Sequence, residues 1–138
     1  MALTQVTNEL IATGGVHTNN IADDSVTHAK VGTEFTTSSV LTAAAAIDIN
    51  FNSSQVFTLT PDQNTTLNIT NPVVGISKVI VITGAGATNT ISYTVGGVAG
   101  TFNLIAGEYD DTAALKNFIQ LMCVSPTEFW YSISQIAV

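Results

Sequence analysis

The sequence predicts an all-β protein: a jelly-roll-like β-sandwich preceded by an extended, intertwined N-terminal arm that carries a five-residue repeat. Three observations predict it. Beyond about residue 45 the chain breaks into short segments of alternating apolar and polar residues, with turn residues about every eight to twelve positions. Before about residue 36 that alternation is absent, and Ile and Val keep a different beat. Finally, 46% of residues are hydrophobic and only 9% are charged. That is too apolar for a disordered chain and poor in the charge that keeps small monomers soluble. A surface of this kind is expected to be covered by other subunits.

The arm, residues 1–36, is defined by Val6, Ile11, Val16, Ile21, Val26 and Val31, with no Ile or Val at any off-beat position between them. Helices place apolar residues about every 3.6 positions and strands every two, so a period of five suits neither. The spacers are mostly Thr, Asn, Asp, Gly, Ala and His, which offer no second apolar face. One such chain has nothing to bury its rungs against. Several identical chains about a common axis do, and the six rungs are therefore read as a subunit interface. Pentapeptide-repeat β-helices also use five-residue units, but they need a small apolar residue two positions before the central one. Here those positions hold Thr4, Glu9, Gly14, Asn19, Asp24 and Ala29. A self-sufficient solenoid in the arm is disfavoured.

The second domain spans residues 37–138. A small-residue bridge, Thr37 to Ala46, leads into Ala45 to Phe51, which sets Ile47, Ile49 and Phe51 on one face. Gln55 to Thr60 puts Phe57 and Leu59 together and Val56 opposite. A Pro61-Asp62-Gln63-Asn64 turn follows. Thr65 to Thr70 alternates around Leu67 and Ile69. Ile76 to Thr83 is a near-continuous β-branched run, the pattern of a strand buried on both faces. Thr90 to Val95, Thr101 to Ile105, Asn117 to Val124 and Phe129 to Ile136 complete about eight strands. Helix is plausible only at Asp111 to Asn117 and in residues 3–12.

Charge excludes one large class of function. The formal net charge is −7, and the only cations are Lys30, Lys78 and Lys116. Nucleic-acid binding needs clustered cations, so none is expected. The segment from Met1 lacks the basic flank and apolar run of a signal peptide, and no run of about 18 apolar residues suggests a membrane span. Cys123 is the single cysteine, which rules out an intrachain disulfide; it sits in an apolar run and is read as core. Glycosylation sequons begin at Asn52, Asn64 and Asn68, and are read as Asn/Thr-rich strand ends.

Several motifs imitate chemistry. The strand from Lys78 into Gly84-Ala85-Gly86 looks like the start of a dinucleotide fingerprint, but Asn89 occupies the third glycine position and a strand follows where a helix is required. A β-hairpin turn is expected instead. Glu108-Tyr109-Asp110-Asp111 offers carboxylates for a hard cation but lacks EF-hand spacing, and reads as a solvated loop or a helix start with Asp110 or Asp111 as N-cap. Asp23-Asp24, repeated around an axis, offers a calcium site; a solvated spacer is the simpler reading. His17 and His28 fall at different phases of the repeat, which disfavours an axial metal. With no other histidine and no paired-carboxylate motif, neither enzymatic activity nor a cofactor is expected. Phe129, Trp130, Tyr131 and Tyr93 offer a sugar-stacking platform, although core packing on one strand face and subunit interface on the other is favoured.

Two segments carry a resemblance. Asn20-Ile-Ala-Asp-Asp-Ser-Val-Thr-His-Ala-Lys-Val31 resembles the I-x-D-x-S-I-T-x-A-K-I repeats of tailed-phage fibre and head-fibre proteins. Ile47 to Phe51, Val56 to Thr60, Asn64 to Asn71 and the buried strand after Gly75 resemble small β-sandwich modules of phage fibres and capsid decoration proteins. Those modules close with an aromatic strand like Phe129-Trp-Tyr131. The resemblance implies a homotrimeric virion protein without cofactor, made in the host cytoplasm and placed on the capsid surface, where the major capsid protein is its partner. The arm has only about six rungs, which favours a capsid decoration (cement) protein or short head fibre over a long shaft. The alternative is a tail-fibre or tailspike module binding host surface glycans; a cellular lectin or glycan-active domain is a third possibility.

Overall fold

The computed structural model describes residues 26–27 and 30–136, and the chain divides into two units, Met1–Val31 and Gly32–Val138. Residues just after Gly32 are bonded into the second unit. A single helical turn, α1 (Thr33–Thr36), opens the unit, and its Glu34 carbonyl accepts a 2.6 Å hydrogen bond from Lys78 Nζ. The Thr37 carbonyl then accepts the amides of Gln55 and Val56.

Nine strands follow: β1 (Ser38–Val40), β2 (Ala46–Asn50), β3 (Val56–Leu59), β4 (Thr65–Thr70), β5 (Ser77–Thr83), β6 (Ile91–Val95), β7 (Thr101–Ala106), β8 (Lys116–Ser125) and β9 (Glu128–Ile136). The all-β expectation is met, but the β-sandwich of jelly-roll type is not. The first six strands alternate between two sheets and pair in parallel, β1 with β3 and β3 with β5 in sheet A, β2 with β4 and β4 with β6 in sheet B. A jelly roll is built from antiparallel pairs. Here each strand is followed by one in the opposite sheet, so the chain winds through three stacked coils. The body is a β-solenoid. Parallel neighbours need a crossover connection, and the crossover is the strand of the facing sheet.

Stacked coils place like residues over like. Ile47, Leu67 and Tyr93 stand in register in sheet B, and beside them Ile49, Ile69 and Val95. In sheet A, Phe57 lies beside Ile80, and Ile80 beside Ile119. Most of these side chains are fully buried, each contributing about 1.5–3 kcal/mol by leaving water. The stack ends on sheet A with an antiparallel hairpin: β8 pairs with β5, β9 with β8, and β7 lies parallel to β9 at the sheet edge. Cys123, as expected, is buried within it.

Four further expectations are corrected. The small-residue bridge, Thr37 to Ala46, contains a strand, β1. Asp111 to Asn117 forms no helix; it turns at Ala113 and Ala114 and enters β8 at Lys116. Strand β5 is not buried on both faces: Lys78, Ile80 and Ile82 point inward, while Val79 and Val81 are only half-buried. Gly84 to Asn89 is not a hairpin turn but a solenoid corner, carrying the chain from β5 in sheet A to β6 in sheet B. The helix expected in residues 3–12 lies outside the described residues.

Candidate interaction surface

The two outer sheet faces differ in chemistry, and the difference follows from strand alternation. On sheet B the outward rows are Ala46–Thr66–Ser92 and Asp48–Asn68–Thr94. Their side chains bond to one another along the stack. Asn68 Nδ2 donates to Asp48 Oδ1 at 2.7 Å, Thr94 Oγ1 donates to Asn68 Oδ1 at 3.1 Å, and the hydroxyls of Thr66 and Ser92 lie 2.9 Å apart. Two of the sequon asparagines thus serve the stack, Asn68 here and Asn64 by accepting the Thr90 amide. This face is a hydrated polar ladder.

Sheet A presents an uncharged face in which Ser, Thr and Gln stand among apolar residues. Its outward rows read Ser38–Val56–Val79–Gln120–Ser132 and Val40–Thr58–Val81–Phe118–Ser134. Neither row holds a charged residue. Val40 is 87% exposed, and Met122 and Trp130 stand side by side at one end of the face. Charges occur only at the strand ends, Lys116 at one and Glu128 at the other. Glu128 Oε1 accepts hydrogen bonds from Trp130 Nε1 at 3.0 Å and Asn103 Nδ2 at 2.9 Å, which fixes the indole. Beside it a groove of about 330 Å³ runs between Trp130, Met122, Ile105, Gln120, Ser132 and Gln55.

The four aromatics singled out from the sequence part company. Phe129 is fully buried, stacked on Phe102 at 5.1 Å and edge-on to Phe51 at 6.0 Å. Tyr93 stacks on Phe102 at 5.2 Å and meets Tyr131 at 5.0 Å. These three form an inner cluster that ties β6 to β7 and β9. Burial pushes the Tyr93 and Tyr131 hydroxyls above the usual tyrosine range, and the Tyr93 hydroxyl is buried without a hydrogen-bond partner. Trp130 alone, 44% exposed, points outward. Of the arm rungs, Val26 is 62% and Val31 38% exposed. Val6, Ile11, Val16 and Ile21 lie outside the described residues, as do Asp23, Asp24, His17 and His28.

The glycine corner and the acidic loop form one structure that sequence reasoning missed. The Asp111 carboxylate accepts the amides of Ala85 at 2.9 Å, Ala87 at 3.1 Å and Asn89 at 2.8 Å, and the Tyr109 hydroxyl at 2.8 Å. The corner is an anion nest filled by the chain's own side chain. Partial desolvation works against the Asp111 charge, but the amides of Ala85, Asn89 and Ala87 and the Tyr109 hydroxyl outweigh it and hold the carboxyl below its ordinary range. Asn117, fully buried, clamps the same loop by donating to the Asp110 carbonyl at 2.8 Å and accepting the Asp110 amide at 3.0 Å. Neither Asp110 nor Asp111 starts a helix. Among the described residues no group of three or more His, Cys, Asp or Glu is placed to hold a metal ion, and no helix is long and apolar enough to cross a membrane.

Compared with known protein families, curated proteins and solved structures, the chain matches none.

Proposed function

We propose that this chain is a structural subunit of a virus particle, a homotrimeric capsid decoration protein or short head fibre whose arm joins the copies and attaches them to the major capsid protein. The observation that carries the reading is the arm's five-residue beat, whose two described rungs, Val26 and Val31, are left open by their own chain. Removing such rungs from water stabilises an assembly by about 25 cal/mol per Å², and three linked arms bind a symmetric shell with avidity. The resemblance of Asn20 to Val31 to phage fibre repeats supplies the virion setting. Native mass spectrometry is expected to find three chains per particle, and gold-labelled antibody is expected to mark the heads of purified virions. A folded monomer, or label confined to tails, overturns the proposal.

One observation favours a second reading, a tail module that binds host glycans. Trp130 offers an outward indole beside the amides of Gln55 and Gln120, the mixture of flat apolar and planar polar groups that suits a sugar ring.

A further inference from the structure

We infer that the outer face of sheet A is where the bodies of neighbouring copies of this chain meet. The inference rests on the homotrimer reading above and adds a second contact to that of the arms. Two sheets fold from one chain under the same solvent, yet only one carries the Asp48–Asn68–Thr94 ladder that water tolerates. The other leaves Val40, Met122 and Trp130 exposed along rows without charge. Depletion of charge with exposed Met and Trp is the composition of an interface core.

The charges at the ends of the face select the occupant. In a closed ring each subunit offers one end of its face to the other end of its neighbour's. With the threefold axis running across the strands, Lys116 of one copy approaches Glu128 of the next, so opposite charges meet at every joint. A second copy of this chain therefore matches the face without any foreign partner.

Area sets the strength. Six strands about 4.8 Å apart, contributing on average six to seven residues at about 3.3 Å each, make a face of about 600 Å². A stable pair buries about 800 Å² per partner. The face therefore aligns copies already held by their arms and does not assemble them alone.

Trp130 is the only tryptophan and reports on this face directly. Acrylamide quenching of the full-length trimer is expected to be at least threefold weaker than that of free N-acetyltryptophanamide. Gln120→Glu and Val40→Glu, both at exposed positions, are expected to raise the quenching constant about twofold or more while circular dichroism and the trimeric mass stay unchanged. A trimer whose Trp130 is quenched as freely in the parent as in both variants overturns the inference and leaves the homotrimer standing. Protection that appears only on adding oligosaccharides released from a bacterial envelope also overturns it, in favour of the glycan groove. A monomeric mass removes the homotrimer reading itself.

Discussion

The Asp111 carboxylate accepts the Asn89 amide across a 2.8 Å hydrogen bond, joining the loop before β8 to the corner that leads into β6. Ala85 and Ala87 donate to the same carboxylate, so one side chain sets the path of the whole corner. Gly84 is required beside it, because a Cβ there would strike the Thr112 carbonyl. Asp111→Ala is expected to cost about 1–2 kcal/mol, toward the low end for charged hydrogen bonds because exposed amides regain water. The cost is also pH-dependent. The folded carboxyl lies below its ordinary value of 3.8, so its contribution is complete above that value and is lost as pH falls through the folded one. The gap between the urea midpoints of parent and variant at pH 7 should narrow as pH falls below 3.8. A gap that stays equal throughout rejects the nest as its cause.

Ile69 tests the stack itself. It lies between Ile49 and Val95 and is fully buried, so Ile69→Ala opens a cavity that two fixed neighbouring coils cannot close. A loss of about 2–5 kcal/mol is expected. Val74→Ala, exposed in the loop between β4 and β5, is expected to change stability by less than about 0.5 kcal/mol. Chemical denaturation of the two variants checks the contrast. Equal losses would mean that the coils do not carry the core.

Lys78 is an ionisable group turned into the core. Its ammonium lies 5.7 Å from the Phe51 ring and 5.6 Å from the Phe35 ring, and it donates a hydrogen bond to the Glu34 carbonyl. Desolvation lowers its pKa, and the nearby Glu34 charge only partly restores it. A lowered lysine pKa penalises the fold while the group is charged in both states, and the penalty is relieved as pH rises from the folded value toward 10.5. Stability should therefore climb with pH in that window. Lys78→Met is expected to abolish the climb, as read by thermal melts at rising pH up to 10.5. A slope that survives the substitution places its origin elsewhere.

Strand positions were legible because burial alternates with period two, and Ile47, Ile49, Leu67 and Ile69 announce their faces without ambiguity. Pairing direction was not. The same alternation serves an antiparallel sandwich and a parallel solenoid, and Pro61 to Asn64 reads as a turn whether it reverses a hairpin or rounds a coil. Unequal coils conceal the repeat: Val56 follows its partner Ser38 by fewer residues than Val79 follows Val56. One signal was available. Asn64, Asn68 and Asn71 cluster where solenoids use side-chain amides between coils, and Asn71 Nδ2 does bond Asn50 Oδ1 at 3.0 Å. The split of Phe129 from Trp130 was legible from alternation alone. The Asp111 nest was not, because it joins segments far apart in sequence.

The division at Gly32 yields the last prediction. The Gly32–Val138 unit contains the three coils, the capping hairpin and both bonds that hold α1, from Lys78 Nζ to the Glu34 carbonyl and from the Gln55 amide to the Thr37 carbonyl. Its stability comes from contacts between adjacent coils, which is how solenoids fold. A fragment beginning at Gly32 is expected to keep the β-type circular dichroism and cooperative melting of the parent. Without the arm's rungs, and with a face of only about 600 Å², it is expected to sediment as a monomer. A fragment cut at residue 37 loses α1 and the Lys78 partner and should melt several degrees lower, since about 1 kcal/mol shifts the midpoint of a domain this size by about 4–8 °C. Sedimentation velocity and thermal melts of the two fragments decide the matter: a trimer from the Gly32 fragment assigns assembly to the body, and a failure to fold assigns the arm a part in the core.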